Sequence, residues 1–131
     1  MSLPLHHLLA NAPRPVGPFS HAVEADGWVF VTGQMPTDPA APEAPLPAGI
    51  EAQTRRVMEN LRLVLAGLGL SFAHVAMARV YLTRFERDFE TMNRVYSSYF
   101  ASDHLPARTA VSVTALAVGA LVEIDLVARR P

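Results

Sequence analysis

Five of the chain's eleven prolines stand between residues 36 and 47: Pro36, Pro39, Pro42, Pro45 and Pro47. Proline lacks a backbone N–H and fixes its own φ, so a segment this dense in it can join neither a helix nor the middle of a sheet. Residues 35–48 are therefore expected as a loop of polyproline character, either a passive connection or a lid over a site. A second cluster, Pro13, Pro15 and Pro18 with Gly17, marks residues 1–18 as an extended arm without regular structure. Helices and strands are thereby confined to residues 20–34 and to the chain beyond Gly49. With 131 residues, half of them hydrophobic, there is material for one core and not for two, so residues 1–131 are expected as a single domain.

Inside those windows the side-chain periods are distinct. His21–Glu24 and Trp28–Thr32 are β-prone runs on either side of Asp26-Gly27, a hairpin dipeptide. Ile50, Val57, Leu61, Val64, Leu65 and Leu68 recur at helical steps, and Gly67 and Gly69 close that helix. Val75–Thr83 reads as a strand. Phe85, Phe89, Met92, Tyr96 and Tyr99 step by 4, 3, 4 and 3 residues, which predicts a second helix whose aromatic stripe packs in the core, with Asp88 as N-cap of its main body. Leu105-Pro106-Ala107 stops it, and Thr109–Thr114 and Leu121–Ala128 are the last two strands. In the final one Val122, Ile124, Leu126 and Ala128 share one face, while Leu121, Glu123, Asp125 and Val127 share the other. The order β-β-α-β-α-β-β describes one α+β domain with both helices on one face of the sheet. Val29, Val31, Val111 and Val113 cannot all meet those helices, and the simplest cover for the opposite face is another copy of the chain.

Composition narrows the chemistry. All eleven basic residues are arginine, and there is neither lysine nor cysteine, which excludes Schiff-base and phosphate-loop lysines, thiol nucleophiles and thiolate metal sites. The five histidines lack ligand spacing, so no metal is expected. A net charge of -1 argues against a nucleic-acid surface. No apolar run approaches the ~20 residues of a membrane span, and residues 1–12 lack the basic start of a signal peptide, so a soluble, cytoplasmic protein is expected. Two ionisable residues stand out. Arg108 leaves Pro106-Ala107 at a loop-to-strand junction, where its fork suits a small carboxylate. Glu123 interrupts an apolar strand, where desolvation raises a carboxylate toward proton-transfer use. The structural alternatives, which composition alone favours, are an ion pair between the two or a solvated strand face for Glu123. Gly33, in Thr32-Gly33-Gln34, lets backbone approach a ligand, and Asn60 and Asn93, inside helices, each need a hydrogen-bonding task.

Ala12-Pro13-Arg14-Pro15-Val16-Gly17-Pro18-Phe19-Ser20-His21-Ala22-Val23 resembles the opening motif of the Rid (YjgF-like) family of enamine/imine deaminases. Val31-Thr32-Gly33-Gln34-Met35-Pro36, Asn93-Arg94-Val95-Tyr96, Pro106-Ala107-Arg108-Thr109 and Val122-Glu123-Ile124 resemble its further motifs in order, over residues 11–129. The resemblance implies a chorismate-mutase-like fold, a homotrimer with clefts between subunits, and hydrolysis of 2-imino acids such as 2-iminopropanoate to 2-oxo acids and ammonia without metal or organic cofactor. By the same motifs Arg108 would clamp the substrate carboxylate with help from the Ala110 N–H, Glu123 would activate water, and the Gly33 carbonyl would face the substrate nitrogen. Phe19 would wall the site where the family usually has tyrosine, Asn93 would contact substrate, and Ala110 stands where cysteine is frequent. The competing expectations are a trimer that holds small carboxylates without turnover and, last, an RNA-directed endoribonuclease or translation inhibitor.

Overall fold

In the computed structural model, which describes residues 2–131, Asp26 and Gly27 take φ values of 52° and 81° and join β2 (Ala22–Ala25) to β3 (Trp28–Gln34). Positive φ at both central residues lets a two-residue hairpin keep the natural strand twist, and glycine adopts it without a Cβ penalty. The arm departs from expectation. Leu5–His7 form a short strand, β1, antiparallel to β2 with Leu5 opposite Glu24. Three residues after a proline carry no strand period of their own, so this pairing exists only because β2 offers an edge. Buried His21 fastens the next stretch: the Leu9 N–H donates to its Nδ1 at 2.8 Å, and its Nε2 donates to the Pro13 carbonyl at 2.7 Å.

Residues 35–48 contain neither helix nor strand. They are clasped at both ends by α1 (Ile50–Gly67). Asn60, fully buried, donates to the carbonyls of Met35 (2.9 Å) and Thr37 (2.8 Å) and accepts from Arg56 Nε (3.1 Å). Gln53 donates to the Pro47 carbonyl (3.0 Å) and accepts from the Leu121 N–H (2.8 Å). The hydrogen-bonding task expected of Asn60 is therefore structural. Asn60→Ala leaves two loop carbonyls without their donor, and a loss of about 2–4 kcal/mol is expected, from roughly 1 kcal/mol per bond plus the cost of orphaned groups. Urea unfolding should show this as a lower midpoint at unchanged slope; a change under about 0.5 kcal/mol, the range of ordinary surface substitutions, would mean the clasp carries no load.

A short 3₁₀ turn (Phe72–His74) leads into β4 (Val75–Leu82), then α2 (Phe85–Ser97), β5 (Ala107–Ser112) and β6 (Val122–Arg129). The sheet order is β1-β2-β3-β6-β4-β5; only β4 and β5 run parallel. Asp88 is not a cap. It lies buried within α2, its carboxylate held by Arg87 Nε and Nη2 at 2.8 and 3.0 Å, and the helix begins three residues before it. Both helices cover the same sheet face, where Val57, Met58, Leu61 and Leu65 of α1 and Met92 of α2 meet Val29, Val31, Val80, Val122, Ile124 and Leu126. The strict alternation of β6 puts its apolar set inward as expected, with Glu123, Asp125 and Val127 outward. Of the four valines read as conflicting, Val29 and Val31 point to the helices and Val111 does not. No helix among the described residues lies over the other face. There Phe30, half exposed, stands opposite Val23 and Val127, and Tyr81 stands opposite Val111 and Glu123.

Candidate active site

A bulge in β3 joins Gly33 to Glu123. Val31 pairs with Leu126, but Gln34 pairs with Ile124, so three steps on β3 answer two on β6. The extra residue pushes the Gly33 backbone onto the Glu123 side chain. Any Cβ at position 33 would overlap the Glu123 carboxylate and reach 3.0 Å from its Cδ, so the approach requires glycine. The segment after Phe19 is tied to the bulge: Thr32 donates through Oγ1 to the Ser20 carbonyl (2.6 Å) and through N–H to that of His21 (3.0 Å). The Phe19 ring itself is partly exposed and leans on Gly17.

Glu123 and its neighbour Asp125 share the open face but differ in circumstance. Asp125 is met by Arg79 Nε at 2.8 Å and the Tyr81 hydroxyl at 3.1 Å. The half-buried Glu123 carboxylate has no hydrogen-bond or ion-pair partner among the described residues. Burial first, and the Asp125 charge second, push its pKa above the ordinary value of 4.5.

Arg108 builds the other half on the edge strand. It stands opposite Ala78, which is buried beneath the helices, so its side chain rises on the helix side. The guanidinium lies 4.9 Å from the centroid of the Tyr96 ring and 5.8 Å from that of Phe89, with Met92 Sδ at 4.0 Å from Nη1. No acid pairs with it among the described residues. Two aromatic faces thus hold a cation whose charge is left uncompensated, the condition for receiving an anion. Asn93 and Tyr96 line a cavity of about 440 Å³ with Arg108, Leu105 and Pro106. The Asn93 Oδ1 and the Tyr96 hydroxyl are buried with no hydrogen-bond partner among the described residues. Ala110 stands two residues further along the same edge strand. Val113 N–H donates inward to the Leu82 carbonyl at 2.9 Å. Donors alternate sides along an extended strand, so the N–H groups of Arg108, Ala110 and Ser112 point to the free edge.

The two halves do not meet within one protomer. Arg108 and Glu123 lie on opposite faces, with β4 between their strands and three residue steps along β4 from Ala78, the partner of Arg108, to Tyr81, the partner of Glu123. Strand spacing puts them about 10 Å apart along the sheet and about 10 Å across it. The ion pair weighed from sequence is absent, because parity aims the two side chains away from each other. The aromatic support of Arg108 was missed by reading the α2 stripe as core alone. Tyr96 is core, only 4% exposed, yet one ring face serves Arg108. Among the described residues no three histidine, aspartate or glutamate side chains gather as metal ligands, and no helix is long and apolar enough to cross a membrane.

The family model described as Endoribonuclease L-PSP matches residues 9–130. The chain belongs to the YjgF/Rid family. It is 45% identical to Protein DfrA of Myxococcus xanthus over 120 residues, 90% of this chain and 89% of that protein. It is 38% identical to the 2-iminobutanoate/2-iminopropanoate deaminase of Bos taurus over 119 residues, 91% and 85% of the two chains. The crystal structure of RidA from the Antarctic bacterium Psychrobacter superposes with a TM-score of 0.88 at 34% identity, covering 95% of this chain and 98% of that one. The Rid fold thus agrees with the expected α+β architecture, to which β1 adds a sixth strand.

Proposed function

We propose that this Rid protein hydrolyses reactive 2-imino acids to 2-oxo acids and ammonia. One observation carries the reading: an unpaired arginine on an aromatic platform and an unpaired, elevated carboxylate against a glycine backbone are displayed on opposite faces of one sheet. Each is half of a site, and copies of the chain stacked against the open face supply the missing half. The likeness to the bovine deaminase supports the reaction, and the exposed Phe30 and Val111 support assembly, as the homotrimer implied by the family. In such a cleft Arg108 and the Ala110 N–H hold the substrate carboxylate, with Asn93 beside them. Phe19, Gly33 and Glu123 come from the neighbouring copy.

The chemistry needs no cofactor group. The protonated imine carbon is already electrophilic, and the Gly33 carbonyl accepts from its N–H. Glu123 takes a proton from water as the oxygen bonds to that carbon, giving a carbinolamine. The same carboxyl returns the proton to nitrogen and, as the C–N bond breaks, takes the hydroxyl proton, so that the 2-oxo acid forms and the departing ammonia carries that proton away as ammonium. A near-neutral charge and the pairing of Arg55, Arg62, Arg79, Arg87, Arg94 and Arg130 with acids leave no basic stripe to favour an RNA substrate.

Mixing tests the shared cleft. Arg108→Ala and Glu123→Ala chains, each inactive alone, are expected to regain activity once dissociated and reassembled together. With random assembly of equal amounts, about a quarter of clefts unite an intact Arg108 with an intact Glu123 across a heterologous interface. No recovery, with mixed oligomers demonstrated by mass spectrometry, would put both residues in one chain's site and sink the reading.

A further inference from the structure

Beyond Ala110 the same edge continues into a second cavity of about 610 Å³, lined by Arg84, Phe85, Glu86, Arg87, Ala110 and Ser112. It is far larger than a methyl or ethyl side chain requires. Ser112 is two residues along from Ala110, and its N–H points to the same free edge. The edge therefore repeats itself: an outward N–H beside Arg108, then about 6.6 Å further, two strand residues, an outward N–H beside Arg84. Arg84 has no acid partner among the described residues. Arg87 is bound to Asp88 through Nε and Nη2 only, leaving Nη1 free. We infer that this cavity receives the substrate's side chain and that the preferred substrates are dicarboxylic 2-imino acids, the second carboxylate being taken by Arg84 and the Ser112 backbone. Two anion stations spaced along one strand match the two ends of a five-carbon diacid, and Phe85, which lines the cavity and is stacked on Phe89 (centroids 4.6 Å apart), walls the methylenes between them. Glu86 is the one acid in the lining, and it selects for the opposite charge, so the two residues make opposed predictions.

This inference rests on the deaminase reading for where the first carboxylate binds, and the experiment separates the two. Imines of alanine, glutamate and arginine are generated in situ by amino acid oxidases, and kcat/KM is compared for each. The glutamate-derived imine is expected to exceed the alanine-derived one by about tenfold or more, the worth of one charge-assisted hydrogen bond. Arg84→Ala should collapse that ratio toward one. A preference for the uncharged imine, or a ratio that Arg84→Ala leaves intact, overturns the inference. So does a preference for the arginine-derived imine that Glu86→Gln abolishes. Calorimetry with the product-like probes 2-oxoglutarate and pyruvate gives the second readout. If no imine is turned over but 2-oxoglutarate binds more tightly than pyruvate in an Arg84-dependent way, the deaminase reading fails and the diacid site stands. Equal binding of the two overturns the diacid site.

Discussion

Arg108→Ala is expected to lower kcat/KM for 2-iminopropanoate by about a hundredfold or more while leaving the assembled oligomer intact. A bidentate, charge-assisted contact to the carboxylate disappears, and such bonds are worth about 1.5–3 kcal/mol each. The fold should tolerate the change because the guanidinium pairs with no acid among the described residues; it lies against the Tyr96 and Phe89 faces and the Met92 thioether. Arg108→Lys should rescue little, since an ammonium neither forks nor lies flat on two rings. Steady-state kinetics on freshly generated imine, with light scattering of the same samples, decides it. Near wild-type turnover in the alanine variant would make Arg108 a packing residue.

Glu123→Gln keeps the shape of the side chain and removes the proton acceptor. Turnover is expected to fall by roughly a hundredfold or more, the usual scale of general-base catalysis, with pyruvate binding held because Arg108 is untouched. In the wild type the rate should rise with pH as the carboxyl ionises, through a value displaced above 4.5 by burial and by Asp125, and the variant should lack that limb. Stability follows the same displacement with the opposite sign. A carboxyl whose pKa is raised by folding stabilises the native state below its unfolded value and loses that contribution as pH climbs through the folded one. The wild type should therefore lose stability relative to Glu123→Gln across that window, read as diverging melting temperatures. If pyruvate binding weakens as much as turnover slows, Glu123 positions ligand and does not activate water.

Much of this architecture was legible in the residues. Proline density marked the loop, Asp26-Gly27 the hairpin, and strict alternation in β6 put Ile124 and Glu123 on opposite faces. What escaped was set by long-range contact. Leu5–His7 is a strand only because β2 offers it a partner. Asp88 looked like a cap because its type favours one, but it is spent on Arg87 inside the helix. The bulge that seats Gly33 against Glu123 depends on the pairing slip between β3 and β6, which neither strand's own pattern encodes. Likewise, the motif spacing named Arg108 and Glu123 together, but only the strand order and parity reveal that they face apart.

In the shared cleft proposed here, that facing-apart has a genetic meaning. In a mixed pool of normal and altered subunits, a chain without Arg108 still lends a sound carboxylate to its neighbour. Cleft activity then tracks the normal share, about half in an equal mixture, and the lesion behaves as a loss of dosage. A chain lacking both groups is worse than absent. It occupies a place on each side, working clefts fall as the square of the normal share, and the double lesion acts as a poison subunit. Chemistry divided in that way between two surfaces would leave a single loss as a matter of dosage and make the combined loss subtract more than its own share.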